Sequence, residues 1–163
     1  MATPTYELIA SQTLSSSALQ VTFSSIPNTY RDLFLSVSLN GATADYPWIQ
    51  IRFNNDSGSG NYMHVQAMAT GSTRSGTYSL DDKINLTYYN PFSYSLVRLQ
   101  ANILDYAQTD KSKTMVGWHG GVGVDTEMWT AKWFDTAAIN EIDIYSYSPQ
   151  YNAGSTFDLY GIL

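Results

Sequence analysis

Apolar and polar residues alternate with a period of two along almost the whole chain, which leaves little room for helices. In "LFLSVSLN", Leu33, Leu35, Val37 and Leu39 fall on one side of an extended backbone. Phe34, Ser36, Ser38 and Asn40 fall on the other. "IQIRFN" repeats the pattern with Ile49, Ile51 and Phe53, and "LVRLQANIL" with Val97, Leu99, Ala101 and Ile103. "NEIDIYSY" sets Ile142 and Ile144 against Glu141, Asp143, Tyr145 and Tyr147. The same spacing predicts strands at Glu7–Thr13, Gln20–Ser25, His64–Ala69, Ile84–Tyr89, Thr114–Trp118, Glu127–Phe134 and Thr156–Ile162. One stretch, "DTEMWTAKWFDTAA", is also compatible with a helix, because Trp129 and Trp133 would share a helical face. They share a strand face equally well, and the β-branched and aromatic neighbours favour a strand.

Turn signals separate these runs: "IPN", "NNDSGSGN", "GSTRSG", "YNPFS", "HGGVG" and "SPQYNAG". About ten short strands with such breaks predict an all-β fold, an antiparallel two-sheet sandwich of jelly-roll-like form. The expected organisation is a single domain over 1–163, with 1–6 as an N-terminal arm. Both ends read as strands and are expected to lie together.

The chain has no cysteine, so disulfides and zinc–thiolate sites are excluded. Eight Lys and Arg stand against fourteen Asp and Glu, a net charge of -6. The basic residues are scattered, so a nucleic-acid partner is not expected. No stretch reaches the roughly twenty apolar residues of a membrane-spanning helix. The opening "MATPTYELIASQTL" lacks the basic start and long apolar run of a signal peptide.

Candidate chemistry is sparse. His119, in "GWHGGVG", could serve as a base, but the chain has no G-x-S-x-G elbow, and a loop histidine beside a glycine turn is the plainer expectation. His64 reads as a solvated or interface side chain on a strand. Glu141 and Asp143, and Asp125 and Glu127, are carboxylates two apart on one strand face, about 7 Å by strand rise. Ordinary solvation explains such pairs as well. Asn54, Asp56 and Asn61 in "FNNDSGSGN" are hard oxygen ligands, but one carboxylate is little charge for calcium, and the loop reads as a flexible turn. No enzyme activity, metal or cofactor is expected.

The aromatics are the strongest oddity: 13 Tyr and 4 Trp in a chain of which only 13% is charged. "LTYYNPFSYSL" alone holds Tyr88, Tyr89, Phe92 and Tyr94. A sandwich has too few inward positions for every ring, so several are expected on a surface that meets a partner. The candidates are Tyr6, Tyr88, Tyr89, Phe92, Tyr94, Trp129 and Trp133. A protein interface is the first reading and a glycan platform the alternative.

Three stretches carry a resemblance. "YELIASQTLSSSALQVTFSSIPNTYRDLFLSVSL", "IRFNNDSGSGNY" and "AAINEIDIYSYS…GSTFDLYGIL" resemble a family of small β-rich virion proteins of tailed bacteriophages. The family's marks are an N-terminal "YELI", an "IP-x-TY" element and a final "F-x-LYGI". The resemblance implies a homo-oligomeric, trimeric virion structural protein, assembled in the host cytoplasm. It would be a capsid decoration (cement) protein on the head shell, with the major capsid protein or another virion protein and its own copies as partners. The alternative it leaves open is a tail-fibre or receptor-binding module for carbohydrate. It brings no catalytic residues. Within "IPNTYRD", Pro27 is expected to end a strand and Tyr30 to close one end of the sandwich, its hydroxyl bound to the backbone.

Overall fold

The computed structural model describes residues 5–40, 49–70, 73–86, 96–121, 125–146 and 150–163. Within them the fold is all-β, with strands β1 (Tyr6–Thr13), β2 (Gln20–Phe23), β3 (Asp32–Asn40), β4 (Gln50–Phe53), β5 (Tyr62–Thr70) and β6 (Thr73–Asp81). These are followed by β7 (Ile84–Asn85), β8 (Leu96–Leu104), β9 (Lys113–Gly121), β10 (Asp125–Trp133), β11 (Ile142–Tyr145) and β12 (Thr156–Ile162). The larger sheet has eight strands in the order β1-β12-β3-β8-β9-β10-β5-β6, and the smaller has four in the order β2-β11-β4-β7. Every pairing within them is antiparallel. The chain changes sheet at each step from β1 to β5, then at β6–β7–β8 and at β10–β11–β12. These crossings build the expected jelly-roll-like sandwich.

The inward rows follow the sequence pattern. Leu33, Leu35, Val37 and Leu39 of β3 pack with Ile51 and Phe53 of β4 and Ile142 and Ile144 of β11 in one core. The Leu and Ile side chains at the middle of this core are 0% exposed, each contributing about 1.5–3 kcal/mol of burial. The two ends of the chain do pair, Tyr6 opposite Ile162 and Thr13 opposite Thr156. A bulge between Leu8 and Ala10 interrupts the ladder of β1, an edge strand. Such bulges twist an edge away from unwanted pairing.

Two expectations fail locally. "GSTRSG" is not simply a turn: β6 begins at Thr73 and pairs with β5 through Gly76 and beyond. An edge strand has one neighbour and needs no apolar row, so its composition resembles a loop. Tyr30 does not carry the backbone anchor either. Its ring lies against Gly161, where an added Cβ would stand 2.2 Å from it, and its hydroxyl bonds to the Glu7 side chain. The anchor is Tyr106, 0% exposed. Its hydroxyl donates to the Pro27 carbonyl and accepts from the Tyr30 N–H at 3.3 Å. The tyrosine at the corner therefore comes from the segment after β8, the sheet neighbour of β3 and 76 positions along the chain. Tyr106→Phe should cost about 1–2 kcal/mol in chemical denaturation, and wild-type stability would remove the anchor role.

Candidate functional site

The outward faces of the two sheets differ. That of the smaller sheet is polar. Asp143 accepts hydrogen bonds from Gln20 (2.8 Å) and Thr22 (2.6 Å). Arg52 lies 5.0 Å from the Tyr145 ring and pairs with Asp82. Asp143, 7% exposed, is thus engaged by its strand neighbours.

The outward face of the larger sheet carries an apolar band, and register places its side chains in rows. One row runs Ser36–Gln100–Trp118–Met128–Ala67 across β3, β8, β9, β10 and β5. The next runs Phe34–Asn102–Val116–Thr130–Val65 across the same strands. It continues through Tyr160 to Leu8 on one side and to Tyr78 on the other. Trp118 is 45% exposed, Met128 67% and Val65 40%. These two rows line an open depression of about 520 Å³. Tyr6 packs edge-on to Phe34 (5.6 Å between centroids) and extends the aromatic surface. Exposed apolar surface on this scale marks an interaction face.

The seven interface candidates divide three ways. Tyr6, 51% exposed, remains available. Tyr88, Tyr89, Phe92 and Tyr94 lie outside the described residues. Trp129 and Trp133 are corrected: they point inward from β10, 4% and 1% exposed. Trp133 stacks on Tyr62 (6.3 Å, 14° between planes) and packs against Phe53. Trp129 fills the space over Gly117, where a Cβ would come within 2.5 Å of its ring. The exposed Trp118 of β9 and Met128 of β10 are not among the seven interface candidates. The signal was there in "TMVGWHG": apolar residues on both faces of β9 mean that both faces expect cover.

The inward face carries a polar end. His119 and Glu127 are register partners, 7% and 3% exposed, with Nδ1 and Oε2 3.6 Å apart. On the same face of β5, Gln66 donates to the Asn85 carbonyl (2.9 Å) at the edge of the smaller sheet. His119 is therefore a strand residue rather than a turn residue. The pair is buried within the sandwich. His64 is also corrected: it is 2% exposed on the inward face. Burial pushes its pKa below the ordinary imidazole value, against the opposing charge of Asp81.

The loop after β4 is a structural knot. Asn54 and Asn55 adopt positive φ, 52° and 55°. Asn54 Oδ1 accepts from the N–H groups of Asn140 (2.9 Å) and Glu141 (3.2 Å), and its Nδ2 donates to Ala138. The Asp56 carboxylate accepts from Trp133 Nε1 (2.7 Å), the Gly58 N–H (2.9 Å) and Asn61 Nδ2. The Asn54 and Asp56 oxygens proposed for a cation are thus engaged with the protein. Burial works to raise the Asp56 pKa, but these donors and the charge of Arg52 outweigh it and hold it below the usual carboxylate range. Among the described residues no His, Asp and Glu cluster could hold a metal ion.

No family model and no curated protein sequence matches the chain. Among solved structures the chain is similar to the galectin LEC-6 of Caenorhabditis elegans, at 10% identity and TM-score 0.38, over 100% of this chain and 99% of that one. It is similar to a functionally unknown protein from Saccharomyces cerevisiae, at 10% identity and TM-score 0.30, over 88% and 74%. It is also similar to an alginate lyase variant in complex with an alginate trisaccharide, at 9% identity and TM-score 0.33, over 94% and 81%. At these TM-scores the likenesses carry no argument about what this chain binds.

Proposed function

We propose that this chain is a non-enzymatic structural protein of a tailed-phage virion, acting as a decoration protein that adheres to the head shell as a homo-oligomer. The observation that carries the reading is the outward face of the larger sheet. It is a band of aromatic and aliphatic side chains on an acidic protein whose other outward face is polar and internally paired. Interface cores are depleted in charge and enriched in aromatic residues and Met. Adhesion needs no reacting group, and many weak contacts on one particle add through avidity. The resemblance of "YELI", "IP-x-TY" and "F-x-LYGI" to virion proteins supplies the setting. Purified protein added to particles that lack it should give regular density on the shell in electron micrographs. Bare heads with decorated tails, or no decoration, would overturn the head assignment.

One observation favours a second reading. Trp118 lies half-exposed beside Gln100, Asn102 and Thr130, a ring next to amides and a hydroxyl as carbohydrate sites require. A glycan-array signal that Trp118→Ala abolishes would favour a receptor-binding module.

A further inference from the structure

We propose that the outward face of the larger sheet is the contact through which two copies of this chain pair. The inference rests on the oligomeric reading above and assigns this face to the contact between copies, so that adhesion to the shell falls to the remaining surface of the pair.

Charge is the first argument. On the outward face of β3, β8, β9, β10 and β5, the described side chains include one carboxylate, Asp32. It is buried at the end of β3 and bonded to Arg31 at 2.7 Å. The other charges there are Arg98 and Lys132. A chain of net charge -6 repels its own copies wherever its acids are displayed. One further carboxylate, Asp158 of β12, stands beside Ser36 and accepts from Ser11 at 2.6 Å, so the acids of this face are held at the rim of the five strands.

Placement is the second argument. Arg98 stands in the row Ser38–Arg98–Gly120–Thr126, and Lys132 in the row Leu104–Thr114–Lys132–Met63, at opposite ends of the face. β9 is the middle strand of the five. A two-fold axis lying in the contact plane along β9 sets Arg98 opposite Thr126 of the second copy, and Lys132 opposite its Leu104. An axis across the strands exchanges those two partners. In neither arrangement does a cation meet a cation. Trp118, Val116 and Met128 come to the centre in both, where energetically dominant contacts concentrate. Such a face is self-complementary, as an isologous contact must be.

Size is the third argument. Five strands at ~4.8 Å spacing and nine residues at ~3.3 Å rise outline a face of ~24 by ~30 Å, or ~700 Å². Stable contacts cover about 800 Å² per partner. Pairing across this face therefore reaches the scale of a lasting complex without help from other surfaces.

The test is the molar mass of the full chain by size-exclusion chromatography with light scattering at micromolar concentration. Wild type should show twice the chain mass. Trp118→Glu and Met128→Glu should each halve it, with far-UV circular dichroism and melting temperature retained, since both side chains are exposed. Tyr78→Glu, at the sheet edge, should leave the mass doubled. A monomeric wild type overturns the pairing, as does a doubled mass that survives both central substitutions. A three-copy mass also overturns it, because an isologous face makes pairs and not the trimer implied by the virion-protein resemblance. Particle binding separates this from the wider reading. A monomeric variant that still decorates heads sinks nothing but the avidity of pairs, whereas a wild-type pair that ignores particles overturns the virion role and leaves the pairing intact.

Discussion

Lys113→Met should lower the stability of the protein by about 3–4 kcal/mol, and its melting temperature by roughly 10 °C. Lys113 is 1% exposed, an unusual place for an ammonium group. Its Nζ donates to three backbone carbonyls, those of Gln108, Lys111 (2.9 Å) and Thr136 (2.9 Å). All three ammonium protons are therefore satisfied. Burial pulls the Lys113 pKa down, while Asp135, Asp110 and Asp105 push it back up. The side chain fastens the segment before β9 to the segment after β10. Methionine matches its length and volume but donates nothing, so three carbonyls lose their partner at once. Thermal and urea unfolding read the loss. A variant within 1 kcal/mol of wild type, on the order of one ordinary hydrogen bond, would show that water replaces the ammonium at no cost.

Asp56→Ala should cost about 3 kcal/mol. The substitution strands the indole N–H of Trp133, a ring 1% exposed, and frees the loop that Gly58 and Asn61 close. Asp56→Asn should cost less, because its carbonyl oxygen can still accept from the indole. The pH dependence follows from the depressed carboxyl. The unfolded chain takes its proton near the ordinary value, about 3.9, and the folded chain only at lower pH. The contribution of Asp56 is complete above the unfolded value and is lost as pH falls through the folded one. An acid titration of unfolding free energy should therefore be shallower in Asp56→Asn than in wild type below about pH 4. Equal slopes would contradict the proposed role of this carboxylate.

The core was legible because strict alternation forces one face inward. Leu33 to Leu39, Ile51 with Phe53, and Ile142 with Ile144 all lie where their spacing puts them. The strand reading of "DTEMWTAKWFDTAA" stands for the same reason: Trp129 and Trp133 are four apart, an even number, and both point inward from β10. That parity also removes them from the surface. Counting aromatics identifies a surplus but does not say which ring is left outside; register does, and it picks Trp118. The polar interior was less legible. His64 and His119 read as ordinary strand or loop residues, and Lys113 as one scattered cation, because burial of a polar side chain depends on its partners. Those partners, Glu127 across the ladder and Thr136 across a loop, are set by register and chain crossing. Asp56 was visible as a special residue in a special loop, but the indole that engages it comes from 77 positions away.

The sheet order also governs when the chain can fold. β1 has a single neighbour in its sheet, β12; β2 has a single neighbour, β11. β3 lies between β12 and β8. The first strands to leave the ribosome are thus paired mainly with the last. Until residues 142–162 are in place, β1 and β2 have no ladder to join, and β3 can pair only with β8. Closing such distant pairs is slow, on the order of milliseconds to seconds. The two edge strands β1 and β2 are therefore the last to be locked, and the sandwich closes only when β11 and β12 reach them.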